Sequence, residues 1–99
     1  RILQFKVSGQ NLSKDGDFSG IVAGTKGYLQ TAYNFDADWD GCKKAAVFLK
    51  YDKEYPVPIM NGKCAVPDEI TEHKRWKVYL VGVKDGYRIT TNEVEVRQS

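Results

Sequence analysis

Two apolar-rich runs within residues 28–51 are the strongest pattern along the chain, and a turn-rich segment separates them. In the first run, every second residue of 29–35 falls on one face, and this period of two predicts a β-strand. The second run is apolar without interruption over residues 45–49, which is typical of a central strand covered on both faces. We expect Trp39, in the loop between the runs, to plug one end of a core.

Further strands are predicted before this pair. Residues 2–8 alternate between apolar and polar, and Leu3, Phe5 and Val7 are expected to face inward. Residues 11–27 are interrupted by glycines, so we expect only a short strand or two there. The chain contains no internal repeat and no linker.

The middle of the chain carries strong turn signals. Asn61-Gly62 stands between two short apolar runs, which predicts a hairpin closed by a type I′ turn. Pro56 and Pro58 lack backbone N–H donors, so the first strand of this hairpin should lie at a sheet edge. Pro67 is expected at the first position of a single helical turn, followed by two acidic residues that suit its positive end.

A second hairpin is predicted near the C-terminus. Trp76, Val78 and Leu80 share one face, and Asp85-Gly86 provides the turn. In the returning strand, the inward positions change from odd residue numbers to even ones. One extra residue, in a β-bulge near residues 92–93, would bring both sets of side chains to the core.

These elements predict an all-β fold made of one domain that covers residues 1–99. About seven short strands, with turn signals every 8 to 12 residues or so, favour an immunoglobulin-like antiparallel β-sandwich with one short helical turn. A small barrel is the alternative. Because the sequence begins with Arg1 and not with Met, we expect the domain to be part of a longer protein.

Composition excludes some classes of partner. The formal charge is +2, and lysines are interspersed with acidic residues, so we expect no binding of nucleic acid. No apolar run approaches the roughly 20 residues that span a bilayer, and we therefore expect no membrane insertion. The hydrophobic content of 41% and the charged content of 28% are ordinary for a globular domain.

One acidic pattern resembles part of a calcium loop. Asp36, Asp38 and Asp40, followed by Gly41, match the opening of such a loop, in which alternate carboxylates converge on one cation. The complete loop also needs a glutamate at its twelfth position, and that position holds Val47. A solvated acidic loop is the favoured interpretation, and no metal or cofactor is expected.

The candidate nucleophiles and bases are few. Cys42 and Cys64 are the two cysteines, and the sequence leaves open whether they form a disulfide. His73 is the only histidine, and it lies in a charged segment that is typical of a solvated turn. No motif supports a nucleophile paired with this histidine, so we predict that the protein is not an enzyme.

Surface aromatics are the remaining candidates for a site. Tyr33 and Trp76 share parity with core residues and are expected to be buried. Tyr28 and Tyr79 fall on the outward parity, and they are predicted to contribute to a surface for a partner protein or a glycan.

Framework residues distributed along nearly the whole chain carry a family resemblance. They are Tyr28-Leu29, Phe35, Trp39, Val66-Pro67 and the segment Arg88-Ile89-Thr90-Thr91-Asn92. Their order resembles a small immunoglobulin-like β-sandwich domain of tail, baseplate and tail-fibre structural proteins of phages that infect Gram-positive bacteria. The Arg-Ile-Thr-Thr-Asn segment is the most specific part. Members of that family often carry an aromatic residue soon after the Val-Pro, whereas this chain has Asp68.

The resemblance implies a non-catalytic structural or adhesion module of a phage or prophage virion, assembled in the bacterial cytoplasm. The module would dock a longer tail protein onto the baseplate, or space and present a distal host-binding region. Its partners would be other tail or baseplate proteins and a host cell-surface glycan. A homo-oligomer is expected in the full-length protein. The alternative is an extracellular carbohydrate-binding module of a bacterial surface protein or enzyme, with Tyr28 or Tyr79 on an exposed strip.

Overall fold

The computed structural model describes residues 1–99, which form a sandwich of two β-sheets. The nine strands are β1 (Ile2–Ser8), β2 (Asn11–Lys14), β3 (Gln30–Phe35), β4 (Lys43–Lys50), β5 (Lys53–Pro58), β6 (Lys63–Ala65), β7 (Arg75–Lys84), β8 (Tyr87–Thr90) and β9 (Val94–Arg97). A 3-10 turn spans Ala37–Trp39, and the one helix, α1, spans Asp68–Thr71. The all-β sandwich is therefore confirmed, with nine strands where about seven were expected.

The four-stranded sheet has the order β2-β1-β3-β6. Leu3, Phe5 and Val7 of β1 are buried, as their alternation predicted. One pairing departs from an antiparallel sandwich, because β1 and β3 run parallel. After the β1–β2 hairpin, the irregular residues 15–29 lead the chain back, and β3 then starts in the same direction as β1. Only one strand, β2, forms in the glycine-interrupted region.

The second sheet has the order β5-β4-β7-β8, and β9 pairs with the other half of β7. This order matches the C′-C-F-G sheet of immunoglobulin-like sandwiches. As predicted, β4 is central, and Pro56 and Pro58 lie in the edge strand β5. The predicted bulge is also present in the register. Gly82 pairs with Ile89 and Val78 pairs with Val94, which leaves one extra residue on the returning side.

The hairpin predicted around Asn61-Gly62 is wrong in its pairing. Both residues have positive φ, 54° and 74°, as a type I′ turn requires. Only an isolated bridge between Met60 and Lys63 closes it, because β5 pairs with β4 while β6 pairs with β3 in the other sheet. The turn therefore carries the chain from one sheet to the other. Pro67 also differs slightly from the prediction, since it caps α1 and does not occupy its first helical position.

Trp39 plugs one end of the core, as expected. It is fully buried, its ring packs on Phe35 at 5.1 Å between centroids, and its indole Nε1–H donates to the carbonyl of Gly9 at 2.8 Å. A methyl group added at Gly82 would stand 2.7 Å from the Trp39 ring. Only glycine therefore fits in β7 beneath this ring.

The bulge between β8 and β9 links the two sheets. The amide of Asn92 accepts from the N–H of Leu12 at 2.7 Å and donates to its carbonyl at 3.1 Å, so it pairs with β2 as a strand backbone would. The hydroxyl of Thr91 accepts from the N–H of Leu80 at 2.9 Å. The Thr91 hydroxyl satisfies a backbone group that the interrupted β7 ladder leaves open, and the Asn92 amide satisfies both groups of Leu12 on the edge strand β2.

Candidate functional site

An apolar band covers the outer face of the five-stranded sheet. The band consists of outward-facing residues on β4, β5 and β7 that carry no charge: Ala45, Val47, Leu49, Pro56, Pro58, Tyr79, Val81 and Val83. Val47 is only 6% exposed although it lies outside the main core cluster, because neighbouring band residues surround it. At one end of the band, Val83 is 46% exposed. The sequence predicted that both faces of β4 are buried. In the structure, burial is complete only on the inner face.

A groove of about 650 Å³ adjoins this band at Leu49. It lies between the β4–β5 turn and the start of β7, and it is lined by residues 49–52 and 73–77 with Glu54, Glu93 and Glu95. Two ion pairs join lining residues, Arg75 with Glu95 and Lys77 with Glu93, both at 3.9 Å. These pairs are exposed and contribute little to stability, but they hold donors and acceptors side by side.

Tyr51 stands at the rim of the groove in an unusual conformation. It begins the two-residue turn between β4 and β5, its φ is 55°, and 87% of its surface is exposed. Its ring meets the His73 ring edge-to-face at 5.4 Å between centroids. A bulky residue at positive φ is a genuine outlier, since this region favours glycine or asparagine. Tyr51 is thus an exposed aromatic on a strained turn.

Trp76 lines the same groove from the sheet. It is almost fully buried, and its ring packs edge-to-face on Phe48. Its indole Nε1–H has no hydrogen-bond acceptor in the protein. Buried donors are nearly always paired, so this one is an exception, but the nitrogen is itself buried in the core and is not open to a ligand in the groove.

The two tyrosines predicted for a partner or glycan surface lie on different sheets. Tyr79 is half-buried in the apolar band, and its hydroxyl donates to Glu54 Oε1 at 3.4 Å. Burial raises the pKa of Tyr79, and the Glu54 carboxylate raises it further. Tyr28 is 59% exposed and precedes β3 at the end of the four-stranded sheet, where its carbonyl accepts from the N-terminal amine. The structure therefore does not place them on one strip.

The aspartates of the calcium-like pattern serve the loop itself. The carboxylate of Asp36 accepts from the backbone N–H of Gly9 at 2.7 Å and from that of Asp38 at 3.1 Å. The carbonyl of Asp38 accepts from the Tyr87 hydroxyl at 3.0 Å, and that of Asp40 accepts from Lys84 Nζ at 2.9 Å. No group of three metal-binding side chains lies together. The loop is fixed by these bonds around the Trp39 plug.

The cysteines are both free and both buried, so the structure contains no disulfide. Cys64 Sγ lies 3.3 Å from the hydroxyl of Thr31, and burial raises the pKa of its thiol. His73 contacts Tyr51 instead of a cysteine. A thiol with a raised pKa is a poor nucleophile at neutral pH. The prediction that the chain is not an enzyme stays a prediction.

Two features of this region were not identified from the sequence. One is the groove, which needs the β4–β5 turn and the start of β7 to meet in space. The other is Tyr51, which the sequence shows only as one of several surface aromatics. The Tyr51-Asp52 pair between the paired Lys50 and Lys53 marks a two-residue turn, but it lacks the glycine that usually signals positive φ.

No helix of the structure is long and apolar enough to cross a bilayer. No family model, curated protein or solved structure matches the chain. The resemblance to phage tail domains accordingly stays a prediction, and the function has to be argued from the surface of the molecule itself.

Proposed function

We propose that the chain is a non-catalytic structural or adhesion module that docks onto another protein of a larger assembly through the apolar band. One observation supports this proposal above all. The outer face of β4, which the unbroken apolar run predicts to be covered, carries an uncharged band that the chain itself covers only in part. The largest exposed apolar patch on a soluble monomer typically measures about 300–600 Å² and is often functional. The phage tail or baseplate is the assembly that the family resemblance favours.

The size of the band fits part of an interface. Three strands about 4.8 Å apart and four rows of side chains about 7 Å apart give an area of roughly 300 Å². A standard interface buries about 800 Å² on each partner, so the charged rim of the sheet would have to contribute the rest. This anatomy, an apolar centre with a polar rim, is the usual one for a docking surface.

Immunogold labelling would test the proposed location. An antibody raised against this domain should label the tail ends of particles released by the bacterium that encodes the protein. Labelling confined to the cell envelope would contradict a virion location, and it would favour the alternative of an extracellular carbohydrate-binding module. A domain of unrelated sequence, labelled with its own antibody, controls for sticking of the gold.

A further inference from the structure

We propose that the groove beside Tyr51 binds a neutral saccharide, with the Tyr51 ring as a stacking platform at its rim. This site differs from the Tyr28 and Tyr79 surface expected from the sequence. It is also independent of docking through the apolar band, because its distinguishing residues belong to the β4–β5 turn and to the segment before β7.

The conformation of Tyr51 is the first argument. Positive φ strains an L residue with a bulky side chain, and glycine at this position would carry no such strain. The tyrosine side chain contributes little to the stability of the fold, because it is almost fully exposed and its one aromatic contact is with half-buried His73. Strained residues persist mainly where function requires them. An aromatic held in water by a strained turn is suited to stacking against the apolar face of a sugar ring.

The charges around the groove identify the ligand class. Its lining includes equal numbers of basic and acidic side chains: Lys50, Lys74, Arg75 and Lys77 against Asp52, Glu54, Glu93 and Glu95. An anionic or cationic ligand would meet repulsion from half of these groups. A neutral sugar would not, because each hydroxyl both donates to carboxylates and accepts from ammonium or guanidinium groups. A saccharide therefore suits both the charged groups of the lining and the exposed aromatic at the rim.

The test is an array of neutral and acidic bacterial cell-wall oligosaccharides, followed by calorimetric titration with the tightest neutral ligand. We expect binding to neutral glycans in preference to acidic ones. Tyr51→Gly should weaken the affinity at least tenfold while the melting temperature stays the same or rises, because the turn is relieved of strain. Tyr28→Ala, which removes another exposed tyrosine at the end of the four-stranded sheet, should leave the affinity unchanged.

Binding of no neutral glycan, a preference for acidic glycans, or unchanged affinity in Tyr51→Gly would each overturn the proposal. A lower melting temperature in Tyr51→Gly would also overturn it, since it would show that the tyrosine serves the fold. Ala45→Glu, in the apolar band, should block docking and leave glycan affinity intact. The two proposals can therefore fail separately.

Discussion

The two sheets share one core, but their outer faces differ in polarity. On the four-stranded sheet, most outward positions are polar: Gln4, Lys6, Ser8, Asn11, Ser13, Gln30, Asn34 and Lys63. Ile2, Ala32 and Ala65 are the exceptions. On the five-stranded sheet, the centre of the outer face is the uncharged band. An antiparallel sheet with one solvated face normally alternates apolar and polar residues, as β1 does. β4 departs from this alternation, and the proposed docking surface rests on that departure.

The largest expected effect concerns the core that both sheets share. Gly82→Ala places a methyl group 2.7 Å from the Trp39 ring, and the ring cannot move without breaking its bond to Gly9. We expect about 3 kcal/mol lower free energy of unfolding, measured by urea titration, because overpacking a tight core is costly.

Gly24→Ala is the matched control for this substitution. The new methyl group at residue 24 meets no atom within 4 Å, so its cost is backbone strain alone, about 1 kcal/mol, whereas Gly82 lacks positive φ and its cost is the clash alone. Equal losses in the two variants would show that the inner face of the five-stranded sheet is not tightly packed against Trp39.

A smaller loss is expected where the sheets are joined. Asn92→Ala removes the amide that pairs with both backbone groups of buried Leu12. We expect a loss of about 2 kcal/mol, since two backbone groups lose their partner. Asn34→Ala, on the polar outer face, should change the stability by less than about 0.5 kcal/mol. If both variants lost the same amount, the proposed joint between the sheets would be wrong.

Tyr33, on the inner face of the four-stranded sheet, is expected to make the stability of the fold depend on pH. Its buried hydroxyl has Thr31 and Cys64 as polar neighbours, but it makes no well-formed hydrogen bond. Burial raises its pKa above the ordinary value near 10, with Cys64 as a further cause. The folded state therefore favours the neutral phenol, and stability is present below pH 10 or so and is lost as the pH rises above it.

Tyr33→Phe should raise the free energy of unfolding at pH 7 by about 1 kcal/mol, because an unsatisfied polar group is removed. Above pH 10 the wild type should lose up to about 1.4 kcal/mol per pH unit more than the variant. Unfolding curves between pH 7 and 11 would measure this. Parallel pH profiles for the two proteins would contradict the assignment of the alkaline loss to Tyr33.

The sequence predicted those parts of the fold that depend on local chemistry. Alternation in β1, the prolines of β5, the plug at Trp39 and the one-residue insertion before β9 were all correct, because each follows from periodicity, missing donors or size. The failures involve choice of partner. The Asn61-Gly62 turn formed, but the flanking strands joined different sheets, and β3 paired with β1 in parallel. Distant strands decide such pairings, and no local signal reports them.

The candidate surfaces show the same division. Apolar residues on both parities of β4 predicted that both faces of this strand are buried. The sequence alone could not show which face packs against other elements of this chain. Tyr28 is exposed and Tyr79 is half-buried, and parity cannot show that Tyr28 precedes a strand of one sheet while Tyr79 lies in the other. The groove at Tyr51 depends on a tyrosine at positive φ, which residue preferences argue against.

A charge introduced in the apolar band should have the smallest effect on stability of the substitutions considered. It should also have the largest effect on docking. Ala45→Glu and Ala32→Glu introduce the same group at half-buried outward positions, one on each sheet. Each should change the melting temperature by only a few degrees, because the carboxylate can reach solvent. In an interface, however, an unpaired charge is costly to bury.

The decisive measurement compares co-sedimentation of the full-length wild type and these two variants with the particles of the bacterium that encodes the protein. We predict that Ala45→Glu reduces the particle-bound fraction at least tenfold and that Ala32→Glu matches the wild type. Equal incorporation of both variants, or no wild-type protein in the particles, would contradict docking through the apolar band.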